Sequence, residues 1–87
     1  MNRDALRAAL APLPPGPTRI RTALMLTGLR QLDLARRVGC SQAVISMIVT
    51  GDREVSPRER ARIARAFRLE VSDLFGSSEP TNTEAVA

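Results

Sequence analysis

The chain has 87 residues and a formal net charge of +4, a length that allows one domain with a modest core. It contains no His, Trp, Tyr or Lys and a single cysteine, Cys40, which excludes an intrachain disulfide and a cysteine-rich metal site and removes the commonest acid/base side chain. No apolar run approaches the roughly 20 residues of a membrane span, and Arg3-Asp-Ala-Leu-Arg lacks the long apolar centre of a signal peptide, so the expected setting is the cytoplasm.

Residues 1–11 predict a short helix, rich in helix formers, with Leu6 and Leu10 at i,i+4 on one face. A helix this short is marginal alone and must dock on its own domain or on a partner. Pro12, Pro14, Pro15, Gly16 and Pro17 make residues 12–17 a linker. Residues 18–75 then read as the main domain, and Gly76 to Ala87 as a disordered acidic tail. Within the domain, Thr18 is placed to cap a helix reaching Thr27, with Gly28 as its C-terminal cap. A second helix covers Arg30 to Arg37 and a third Gln42 to Thr50, ended by Gly51. Between them Gly39 supplies the positive φ that a sharp turn needs, and Ser41 is a natural N-cap. Ala35 is small enough to let the next helix cross closely, and Leu34, Val38, Cys40, Ile45 and Ile48 carry the apolar stripe. This is the spacing of a helix-turn-helix.

Ser56-Pro-Arg-Glu announces the fourth helix of the domain, with Ser56 as N-cap, Pro57 at the first helical position and Glu59 completing a capping box. It should reach Phe67 and bury Ala61, Ile63, Ala64 and Phe67, leaving Arg58, Arg62 and Arg65 solvated. A last helix, Val71 to Phe75, closes the core. The fold class is therefore all-α: a compact five-helix helix-turn-helix domain with an extra short N-terminal helix.

In this order and spacing, Ile20-Arg, Gly28-Leu-Arg-Gln, Leu34-Ala-Arg-Arg-Val-Gly, Ser41-Gln-Ala-Val-Ile-Ser, Ile63-Ala-Arg-Ala-Phe and Val71-Ser-Asp-Leu-Phe resemble the lambdoid phage repressor and Cro family over about two-thirds of the chain. The resemblance implies a helix, residues 41–50, that enters the major groove, and a homodimer whose two such helices lie roughly 34 Å apart. It also implies that Gln31 and Gln42, at the starts of two successive helices, lie near the DNA. Gln42 can pair bidentately with adenine. Ala43, Ser46 and Met47 follow on the same face, the apolar two suited to thymine methyl groups. Gln31, Arg30, Ser41, Arg53 and Arg58 are the candidate phosphate ligands, while Asp33 is expected to pair with Arg37 at i,i+4.

Two departures from the family pattern stand out. An arginine and a glutamate that often form a partly buried ion pair are replaced by Leu24 and Val49, which predicts an apolar contact between them, a swap that avoids desolvating two charges. Met25 and Leu26 stand where polar residues are usual, and the N-terminal helix is the expected cover for them. Val44 and Met47 add apolar character to the 41–50 helix.

Charge is distributed unevenly. Residues 18 to 68 carry 11 arginines against four acids, a net +7, whereas residues 69 to 87 carry four acids and no base, a net −4. Concentrated positive charge attracts phosphodiester backbones. The expected function is therefore sequence-specific binding of double-stranded DNA by a repressor, without catalysis, cofactor or metal. The alternative is a protein-interaction module of the same fold: an antitoxin, an adaptor or a bridging factor, with a protein partner on the apolar positions.

Overall fold

The helices follow one another as α1 (Arg3–Leu10), α2 (Pro17–Thr27), α3 (Gln31–Val38), α4 (Gln42–Thr50), α5 (Pro57–Ala66) and α6 (Val71–Phe75). The computed structural model describes residues 1–76, and no strand occurs among them. All of the anticipated tail except Gly76 lies outside the described residues.

Local chemistry sets the helix ends. Asn2 caps α1 by accepting the Ala5 N–H at 2.7 Å, satisfying a donor that has no partner inside the helix. Pro17 begins α2 with Gly16 as its N-cap, so the cap expected from Thr18 is not made; the fixed φ and missing N–H of Pro17 suit the first helical position, which leaves Thr18 inside the first turn. The Ser56 and Glu59 capping box closes as expected, with Glu59 N–H donating to Ser56 Oγ at 3.2 Å and Ser56 N–H to Glu59 Oε1 at 3.1 Å. That helix ends at Ala66, with Phe67 as its C-cap.

The core is wholly apolar: among the described residues no polar or charged side chain is buried. Helix α3 packs against α4 and α5, α2 against α4, and α6 against α5. Leu24 and Val49 are both buried members of this single core, on the packed pair α2 and α4. One turn before Leu24, Arg21 donates through Nη1 to the Val49 carbonyl at 3.3 Å, which covers a C-terminal backbone group of α4 from outside. Ala61, expected inside, is exposed. Ile63, Ala64 and Phe67 already fill the inward face of α5, and Ala61 falls off that stripe.

Helix α1 docks on α2 and α6, burying Leu6 and Leu10 at 3% and 0% exposure. Arg19 pins the linker by donating to the carbonyls of Leu13 at 2.9 Å and Ala11 at 3.0 Å, and reaches the Asp73 carbonyl of α6 at 3.1 Å. Arg7 Nε pairs with Asp73 Oδ2 at 3.1 Å, and Gly16 N–H donates to the Leu74 carbonyl at 2.7 Å. These ties hold α1 beside α6, so it does not cover the far end of α2. Met25 remains 74% exposed and Leu26 38%.

Candidate nucleic-acid interface

The turn between α3 and α4 is built from the residues that its sequence singled out. Leu34, Ala35 and Val38 are buried, Ala35 at 1% exposure, which lets α4 cross close to the α3 backbone. Gly39 stands at φ 89°, ψ 34°, and its N–H and that of Cys40 both donate to the Ala35 carbonyl, at 2.8 and 3.0 Å. A Cβ added at Gly39 would meet only Arg62 Nη1, at 3.9 Å, so the obstacle to substitution is conformational. Gly39→Ala is expected to destabilise the fold by about 1–2 kcal/mol, the cost of a left-handed conformation for an L-residue. Thermal melting checks this, and an unchanged midpoint would show that the turn tolerates a side chain.

Ser41 caps α4 as anticipated: its Oγ accepts the Val44 N–H at 3.3 Å. Accepting that bond leaves the hydroxyl proton available to donate outward. Gln42 and Ala43 are exposed, Met47 is 40% exposed, and Ser46 is half-buried. Val44 does not belong to this outer face. It packs against the core, because residues i and i+4 share a helix side and Ile48 is buried. Thr50 was not singled out, although its spacing from Ala43, Ser46 and Met47 is the signal that finds it. It is exposed, with Oγ1 3.1 Å from the Met47 carbonyl and 2.9 Å from Asp52 Oδ2.

At the start of α3, Gln31 is half-buried in the first helical position, and a helix N-terminus with its unpaired N–H groups favours anions. Asp33 turns back toward that end and pairs with Arg30, in place of the expected Arg37. Its Oδ2 accepts the Arg30 N–H at 3.0 Å and lies 3.4 Å from Arg30 Nε. The Arg30 backbone N–H, aided by its guanidinium, holds the Asp33 carboxyl below the usual range. Arg37 instead donates through Nη1 to the Ala66 carbonyl at 3.4 Å. At the turn, burial raises the half-buried Cys40 thiol, with Glu59 acting in the same direction and Arg53 opposing it.

The arginines do not act as one footprint. Arg30 keeps an 81% exposed side chain despite its contact with Asp33, and Arg58 is exposed in the first turn of α5. Arg53 is drawn toward α5, its Nη2 2.7 Å from Glu59 Oε2. Arg62 reaches the Val38 carbonyl at 3.5 Å. Arg60 donates to the Val55 carbonyl at 3.1 Å and stacks over Phe75 with its guanidinium carbon 5.1 Å from the ring centroid. Much of the central positive charge therefore closes helix ends and joins elements.

Among the described residues no group of three or more His, Cys, Asp or Glu is placed to hold a metal ion. No described helix is long and apolar enough to cross a membrane. A protein-family model described as helix-turn-helix matches residues 20–74, from the first turn of α2 to the last turn of α6. Comparison with curated proteins and with solved structures gave no match.

Proposed function

Because this chain belongs to the helix-turn-helix family of the Cro/C1 type, we propose that it is a sequence-specific regulator that reads duplex DNA with α4 and acts as a repressor. A homodimer placing two copies of α4 in successive turns of the major groove fits that role. The observation that carries the reading is the outer face of α4: Gln42, Ala43 and Met47 stand exposed immediately after a capped helix start. Gln42 offers the donor and acceptor pair that matches adenine, and Ala43 and Met47 offer methyl contacts to thymine. Gln31, Ser41, Arg30 and Arg58 flank this face as phosphate ligands, and Arg53 contributes through the N–H groups that Glu59 leaves open.

Double-stranded DNA is thus the partner, and repression follows from occupancy of an operator, with no catalytic step and no cofactor. The cytoplasm is the setting that fits this role. The test is a titration of duplex affinity against salt. Several phosphate contacts predict a steep linear fall of log affinity with log salt, and a flat response would remove the DNA reading. A second reading, docking of a protein partner, is favoured by the exposure of Met25, Leu26, Leu32 and Met47. On that reading affinity for a protein ligand survives salt that abolishes duplex binding.

A further inference from the structure

The chain contains three methionines, and the fold keeps every one of them out of the core. Met1, Met25 and Met47 are 68%, 74% and 40% exposed, and none belongs to the buried cluster or to the half-buried residues packed on it. Methionine commonly fills gaps inside a fold, whereas these three thioethers can react without any unfolding. Only one of them stands on the outer face of α4. Met47 has Ala43 at i−4 and Thr50 at i+3, both exposed, while Ile45, Ile48 and Val49 turn inward. Met47 is therefore the largest apolar side chain of the face that reads the duplex.

The one other sulfur is less open to oxidation. Cys40 is half-buried in the turn, and burial raises its thiol, so little of the reactive thiolate is present. A thioether has no proton to lose, and its oxidation does not wait on ionisation. A lone pair of the Met47 sulfur attacks one oxygen of a hydroperoxide. The S–O bond forms as the O–O bond breaks, and the proton of the transferred oxygen passes to the leaving oxygen. Sulfur gives up two electrons, and the peroxide is reduced to water or an alcohol. The product is a polar, chiral sulfoxide. A thymine methyl group offers its oxygen no donor, and a polar atom covered without a partner weakens a contact that the thioether strengthens.

We propose that Met47 is a reversible oxidation site, through which a hydroperoxide releases the folded protein from its duplex. The proposal rests on the DNA-binding reading of α4. Its test uses the full chain, hydrogen peroxide and the duplex that binds best, and compares each protein with its own reduced form. Tryptic peptides 22–30 and 38–53 report Met25 and Met47 separately by mass, and the second also reports Cys40. Conversion of Met47 should lower duplex affinity about tenfold, the cost of covering one unpaired polar atom, and leave the melting midpoint in place. The two methionine sulfoxide reductases, one for each epimer, should restore the affinity. Met25→Leu should respond to peroxide like wild type, and Met47→Leu should not respond. Equal affinity of the reduced and oxidised proteins would overturn the proposal alone. So would a loss of affinity on oxidation of Met47→Leu, a loss that the reductases do not reverse, or a melting midpoint that falls in step with affinity. Failure of the reduced protein to bind any duplex would overturn the α4 reading and this proposal together.

Discussion

Leu10→Ala is expected to lower stability by about 3 kcal/mol, within the range for a buried leucine cut back to alanine, and to lower the melting midpoint by roughly 15 °C in a domain of this size. Leu10 is fully buried between α1 and the rest of the core, so the substitution opens a cavity lined by apolar side chains. The helix cannot compensate by shifting, because Arg19 fixes the linker at two carbonyls and Arg7 fixes α1 to Asp73. Deleting residues 1–15 should cost more, since it removes Leu6 and Leu10 together and leaves Asp73 without its guanidinium. Thermal melting of both variants checks the expectation. A Leu10→Ala protein that melts with wild type would show that α1 is not part of the folded unit. The consequence reaches beyond stability: α1 lies outside the family match over residues 20–74, so the folded unit extends beyond the matched segment.

Gln42→Ala should weaken binding to the preferred duplex about 10- to 100-fold, the discrimination of one good bidentate base contact, while leaving the melting midpoint unchanged. The side chain is exposed, and the cap of α4 belongs to Ser41, so no folded-state contact is lost. The variant should also relax base preference at a single position of the site. Arg58→Ala offers the contrast. As a phosphate contact it should weaken binding to every sequence alike and flatten the salt dependence by about one contact. Equilibrium titrations of both variants against a matched set of duplexes separate the two patterns. Equal losses on all sequences for Gln42→Ala would assign Gln42 to the backbone.

The helices and the turn were legible because each carries its own local chemistry: Ser41 and Ser56 as caps, Pro57 at a first turn, Gly39 at a left-handed position, and apolar residues at helical spacing. The same spacing placed Leu34, Ala35, Val38, Ile45 and Ile48 in the core. What the sequence left open were relations between elements distant along the chain. Leu6 and Leu10 showed that α1 needs a surface, yet nothing local told α6 from the end of α2 as its seat. That choice is made by Arg19 and Arg7, whose partners lie 54 and 66 residues away. Arginine counting met the same obstacle. The central positive charge pointed to nucleic acid, but composition does not separate Arg58, which faces solvent, from Arg21, Arg37 and Arg62, which close the ends of helices. Asp33 illustrates the limit of spacing rules, since two arginines were within reach and the helix N-terminus decided between them.

Selection of random-sequence duplexes on the purified protein tests most directly whether α4 reads base sequence in duplex DNA. Base reading by a dimer predicts enrichment of one motif, palindromic with half-sites about one helical turn apart, and loss of preference at one position of each half-site when Gln42→Ala replaces the wild type. A pool that stays random through successive rounds, while the protein remains folded and binds duplexes weakly and alike, would contradict it.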